Sequence, residues 1–273
     1  MHPSRLCSST LCALSLAAAW PLHAGAQAAP EAWRGSATLY GWVPAVGGST
    51  SFPATGSGPS IDVSSRQVLD ALKMAFMGSL ELRRGKWGVA TDLVYADFGA
   101  GTSKSRDFSI DHGSLPAGVD ATLDLHLESW IWSVGAVYSL ADIREGTSDL
   151  VLGVRLLDMD QRLDWSIAGT VPGLPPAARS GSATVGLQQW DAIVGVKGRI
   201  NIGTSGTWFL PYYLDFGTGQ SRYTWQIAGG VGYQFSWGSV IAAWRYLDYG
   251  FKSGSAVQGL SLNGGALGVQ FGF

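Results

Sequence analysis

The sequence predicts an all-β chain, a transmembrane antiparallel up-and-down β-barrel of about ten strands, with roughly eight to twelve compatible with the pattern. Three observations carry this. Apolar residues recur at every second position over runs of roughly ten, the dyad period of strands that keep one apolar face. The composition is poor in charge (14%) and rich in aromatic residues and glycine, with 12 Trp, 9 Tyr, 10 Phe and 38 Gly. Yet no stretch after the first 28 residues approaches the ~18 consecutive apolar residues of a membrane-spanning helix. The connections between runs alternate short and long, as in barrels whose turns differ between the two membrane faces; a soluble β-sandwich has no reason to do so.

Residues 1–28 read as a secretory signal peptide. Arg5 supplies the basic start, 11–22 the apolar stretch, and Ala24-Gly25-Ala26 or Ala26-Gln27-Ala28 the small-residue cleavage site. Residues 29–273 then form the barrel domain. Both cysteines, Cys7 and Cys12, lie in the leader, so the exported chain carries no thiol. Disulfide, thiolate–zinc and cysteine-nucleophile chemistry are thereby excluded. Without Arg5 the chain has 17 Lys and Arg against 20 Asp and Glu, a formal charge of −3. No nucleic-acid partner and no cofactor are expected from it.

Taken in order, strands are expected near 33–43, 73–84, 86–98, 121–139, 149–163, 187–200, 207–217, 222–236, 239–250 and 260–273. The clearest alternation runs Tyr223, Trp225, Ile227, Gly229, Val231, Tyr233, Phe235, against Arg222, Thr224, Gln226, Ala228, Gly230, Gly232, Gln234. Links at 84–86, 141–148, 201–206 and 237–238 are short. Those at 44–72, 99–120 and 164–186 are long and rich in Gly, Ser and Pro, and are expected outside the cell. Within the first of them, SSRQVLDAL offers a Ser cap and spaced apolar residues for a turn or two of helix over 65–72. Alternation fails at Glu128-Ser129, where Leu123, Leu125 and Leu127 give way to Trp130, Trp132 and Val134. A β-bulge there would restore one outer face.

The face opposite the apolar stripe carries Glu81, Arg83, Asp92, Arg155, Asp191, Lys197, Arg199, Asp215 and Arg245. In a barrel of about ten strands these point into a lumen that side chains nearly fill. Unpaired ions are costly there, so the charges are expected to pair and plug the lumen.

The last strand, NGGALGVQFGF, presents Leu267, Val269, Phe271 and Phe273 on one face. It resembles the assembly signal of bacterial outer-membrane barrels. AWRYLDYGF at 243–251 is similar to the R-Y-x-D-x-G segment late in small barrels of the OmpA and OmpW type. The resemblance implies a Gram-negative outer-membrane location. It also implies, as partners, lipid, lipopolysaccharide, the barrel-assembly machinery and periplasmic chaperones. It transfers no ligand or reaction. The chain departs from the OmpA type in having no peptidoglycan-binding domain after the barrel, and from both types in strand count, since eight is usual.

Pairing the fourth and fifth expected strands about a turn near Ile143 brings His126 opposite Asp160, Glu128 opposite Asp158 and Asp124 opposite Arg162, near the external mouth. Such a group could bind a divalent cation through carboxylate oxygens or activate water through an Asp–His pair. The omptin class of outer-membrane proteases resembles this in general terms. No serine elbow, metalloprotease helix or residue-by-residue match accompanies it, so solvated rim side chains are the favoured reading and no metal is expected. Asp111-His112, the stiff Pro172-Gly173-Leu174-Pro175-Pro176, and Lys73, Lys104 and Arg106 near lipopolysaccharide phosphates are weaker features of the outer connections.

Three near-copies remain: YADFG at 95–99, YLDFG at 213–217 and YLDYG at 246–250, each downstream of a tryptophan. They read as a ruler for membrane thickness. Trp87, Trp208 and Trp237 mark the inner interface, and Tyr95, Phe216 and Tyr246 the outer one. The expected function is a non-enzymatic barrel serving envelope integrity or slow passage of small or apolar solutes. A rim hydrolase acting on protein, lipid A or phospholipid through His126, and a surface adhesin, are the alternatives.

Overall fold

The computed structural model describes residues 32–50, 60–103, 119–169, 177–203, 205–253, 255 and 257–273. Residues 1–28 with Cys7 and Cys12, and also Lys104, Arg106, Asp111, His112 and 172–176, lie outside the described residues. The chain runs β1 (Trp33–Thr50), β2 (Ser60–Val63), α1 (Ser65–Ala71), β3 (Leu72–Arg84), β4 (Trp87–Ser103), β5 (Val119–Ile143), β6 (Gly146–Gly169), β7 (Ala177–Ile202), β8 (Trp208–Gly219), β9 (Tyr223–Gln234), β10 (Ser239–Gly250) and β11 (Val257–Gly272). Ten long strands pair antiparallel with their sequence neighbours, and β1 pairs with β11 from Ser36↔Gly272 to Thr50↔Val257, closing the sheet. Closure removes the edges whose unpaired backbone groups a bilayer would not tolerate. The seam ends in two further backbone bonds: Gly35 N–H donates to Phe273 O at 2.7 Å, and Phe273 N–H to Gly35 O at 2.9 Å.

All ten expected strands are present, but they run further at the end of the long connections. Among the described residues, the links expected at 44–72, 99–120 and 164–186 contribute strand at 44–50, 60–63, 99–103, 119–120, 164–169 and 177–186. Strands β5, β6 and β7 have 25, 24 and 26 residues, more than twice the ~9–11 that cross a bilayer. Two-sided polarity hides such extensions, since alternation marks a strand only where one face is apolar. The short β2, which pairs Val46↔Val63 through Ser49↔Ser60, carries no such signal. Helix α1 forms where expected. Ser64 caps it by accepting from Gln67 N–H while the Gln67 side chain accepts from Ser64 N–H, and Val68 is buried.

No bulge occurs at Glu128-Ser129. The β4–β5 and β5–β6 ladders run unbroken through both residues, and the register shifts lie instead at Lys73, Leu140 and, in the β1–β11 seam, Gln258. Alternation fails in the sequence because the barrel exchanges its faces along its length. Toward the short turns, Leu39, Leu80, Val89, Leu152, Val194, Ile227 and Leu267 are exposed on the outside, and the interior is charged. Toward the long connections, Trp42, Val94, Ile131, Leu157, Leu247, Tyr249, Phe251 and Leu260 form one buried apolar cluster inside, and the outer wall carries Asp97, His126, Glu128, Asp160 and Arg162. Leu127 therefore points inward, on the parity of Ile131.

Directly opposed aromatic pairs bound the apolar outer band. Trp87 meets Tyr138 and Trp208 meets Tyr233 at one level, with ring centroids 4.7 and 4.8 Å apart. Eight residues up the same strands, Tyr95 meets Trp130 at 4.4 Å and Phe216 meets Trp225 at 6.3 Å. Eight tilted residues rise about 20 Å, close to the ~25 Å apolar belt of membrane barrels. Trp237, half exposed, stacks on Phe235 near the lower level. Tyr246 contacts Trp225 at the upper one.

Candidate functional site in the barrel lumen

The lumen is built from inward-pointing positions of every strand, which makes contacts across it remote in sequence. Nearest the short turns, Arg83 (β3) binds Asp149 (β6), and Glu81 (β3) binds both Arg83 and Lys197 (β7), reaching across the barrel. Arg199 has its guanidinium 4.8 Å above the Phe209 ring. This layer surrounds a cavity of about 530 Å³, which shares Ser36, Glu81, Lys197, Tyr213, Ile241 and Gln270 with a second of about 290 Å³. The two form one polar vestibule.

Two arginine clusters close it. Arg245 (β10) donates to Asp92 (β4) at 2.9 Å, to the Tyr40 hydroxyl (β1) at 2.8 Å and to Gln226 (β9) at 2.8 and 3.1 Å, while Tyr40 donates to Asp92 at 2.6 Å. Arg155 (β6) is fully buried and pairs in bidentate fashion with Asp215 (β8), its Nε donating to Ser133 at 3.1 Å and Nη1 to Thr224 at 3.3 Å. Forked guanidinium–carboxylate pairing with the remaining N–H groups satisfied is the geometry that makes buried charge tolerable. The Trp42 indole covers the Arg245 guanidinium at 4.7 Å and donates its N–H to Gly264 O at 3.2 Å. Above it begins the apolar cluster, with a separate void of about 80 Å³.

All nine charges expected in the lumen lie on the inner face. Asp191 departs from the expected ion pairing: it accepts from Ser221 N–H at 2.9 Å and from the Ser221 hydroxyl at 2.6 Å, bracing the connection between β8 and β9. Sequence reasoning placed Gln226 on the polar face without giving it a partner and missed Asp149, Tyr40 and Trp42. Inward parity is the signal that could have found Tyr40, and Asp149 pairs directly with Lys197 in the ladder.

The expected His126 group is corrected in register and in place. The turn falls at Arg144-Glu145, and one bulged residue at Leu140 follows, so His126 lies opposite Arg162, Glu128 opposite Asp160, Asp124 opposite Asp164 and Asp158 opposite Trp130. The offset is two residues, which keeps the face but exchanges every partner. The group lies on the outer wall above the upper aromatic level, not in the mouth. His126 Nε2 is 3.5 Å from Asp97, and its Nδ1 is 3.3 Å from Lys73 Nζ. The Lys73 side chain crosses Gly99, where a Cβ would occupy its path. Gly99 thus admits the neighbouring side chain. Among the described residues no group of three His, Cys, Asp or Glu is placed to hold a metal ion.

In the three repeats the aspartates do not share a face. Asp97 and Asp248 point outward, and Asp215 points into the lumen and is fully buried.

These features define a transmembrane antiparallel β-barrel with an apolar outer belt and a lumen crossed by ion pairs. No protein-family model matches the chain, and no curated protein does. Among solved structures it is similar to the outer-membrane protease OmpT from Escherichia coli, at 10% identity and a TM-score of 0.42, over 88% of this chain and 97% of that one. It is similar at a TM-score of 0.29 to the attachment invasion locus protein Ail of Yersinia pestis, at 10% identity over 89% and 99%. The Ralstonia pickettii toluene transporter TbuX matches at 0.30 and 9% identity, over 89% and 90%. Likeness at this level assigns no activity.

Proposed function

We propose that this chain is an integral outer-membrane barrel of a Gram-negative bacterium, non-enzymatic, serving envelope integrity or slow passage of small or apolar solutes through a mostly plugged lumen. The observation that carries this reading is the Arg245 cluster, which ties β1, β4, β9 and β10 together across the lumen beneath Trp42. The short-turn end faces the periplasm in this reading, and the extended end faces outward. Lipid and lipopolysaccharide cover the belt, and the barrel-assembly machinery with periplasmic chaperones inserts the chain. The outward position of His126 gives the hydrolase alternative no support.

Single-channel recording in planar bilayers tests the reading. The wild-type barrel is expected to show no stable openings, whereas Trp42→Ala combined with Arg245→Ala opens measurable steps. Stable large steps in the wild type would sink the proposal.

A further inference from the structure

We propose that the void above Trp42 is a binding chamber for a small hydrocarbon, a monoaromatic ring or a short alkyl chain. This deepens the apolar-solute arm of the reading above and rests on it. The chamber has a floor, the Trp42 indole stacked on Arg245, which divides it from the polar vestibule. It has a cover, α1, which reaches it through Val68 and Leu69. A seven-residue helix with Val68 as its buried residue is a light closure, since little apolar area holds it down.

Among the described residues, the walls offer a ligand no hydrogen bond. The Trp42 backbone N–H donates to Met77 Sδ at 3.1 Å, its indole N–H to Gly264 O, and the Ser129 hydroxyl to Ala96 O at 3.5 Å. With these groups satisfied internally, water gains little in the chamber, and an apolar guest loses nothing there. Its volume of about 80 Å³ is below the ~150 Å³ that admits benzene in a rigid apolar cavity. Met77 and Met159 line it, and their unbranched, polarizable side chains yield to fit a guest.

The methionines also report on the site. Of four in the chain, Met1 belongs to the leader, Met77 and Met159 line the chamber, and Met74 is exposed on the outer wall. Benzene is titrated into the ¹³C-methyl-Met-labelled mature barrel in lipid nanodiscs. Saturable methyl shifts are expected at Met77 and Met159, with only a linear drift at Met74 from partition into lipid. Ala96→Leu, which fills the chamber, is expected to abolish saturation, and Leu157→Ala, which enlarges it, to tighten the midpoint several-fold. Linear drift at all three methyls overturns the proposal, as does saturation that survives Ala96→Leu. Should Ala96→Leu not assemble, an unchanged midpoint in Leu157→Ala overturns it equally. A barrel that conducts yet shows saturable shifts contradicts the closed lumen but not the chamber. A closed barrel without saturation does the reverse.

Discussion

Arg155 and Asp215 form a forked ion pair in which neither side chain is exposed, on strands separated by the whole of β7. Such a pair binds two non-adjacent staves of the barrel together, and each charge is tolerable only through the other. Removing one partner by Asp215→Ala is expected to cost about 3–5 kcal/mol, because a buried guanidinium is left uncompensated. Arg155→Met combined with Asp215→Leu should cost less than either single change. Urea unfolding in lipid vesicles, arranged as a double-mutant cycle, measures this, and simple additivity would contradict it.

The two aromatic levels predict a depth profile. Val154 lies opposite Val134, itself opposite Thr91, midway between the Trp87 and Tyr95 levels. Val154→Arg is expected to destabilise the barrel in vesicles by about 2–4 kcal/mol, as at a bilayer midplane. Asp160→Arg, on the outer wall above the belt, should change stability by less than about 0.5 kcal/mol. Equal effects at the two positions would show that the belt is misplaced.

At the seam, the Phe273 ring lies over Gly35, so a Cβ at that position meets ring atoms. Gly35→Val is expected to displace the ring and strain the two backbone bonds between these residues. The expected readout is a lower melting temperature in heat-modifiability electrophoresis, with Ala37→Val as the neutral control on the same face. An unchanged melting temperature for Gly35→Val would show that the ring contact contributes nothing to closure.

His126 is expected to be dispensable. The purified barrel should hydrolyse neither peptide nor lipid-ester substrates, and His126→Ala should leave that baseline unmoved. The substitution removes only exposed contacts to Asp97 and Lys73, worth at most about 1 kcal/mol. Turnover in the wild type that vanishes in His126→Ala would make the outer-wall group an active site.

The parts of this molecule that were legible in its sequence depend on near neighbours along the chain. Tyr223 to Phe235 alternate because each residue answers to lipid or lumen on its own, so ten strands, their inward charges and the Trp87–Tyr95 interval could be read directly. The Ser64 cap of α1 is equally local. Partners were not legible. His126 was assigned to Asp160 and lies opposite Arg162, because a turn at Arg144-Glu145 and one bulged residue at Leu140 shift everything beyond them. Leu127 was expected on the outer face and lies inside, because the barrel continues past the belt and exchanges its faces.

By itself, then, the sequence determined a closed, lipid-facing barrel with a charged interior, since periodicity and turn spacing suffice for that. Only the tertiary structure decided which charges meet, that Trp42 seals Arg245 beneath an apolar chamber, and that Asp215 pairs with Arg155 across β7. The physical reason is that closure brings together residues more than two hundred positions apart, as at Tyr40 and Arg245. Register errors of a residue or two, invisible in composition, decide every such meeting.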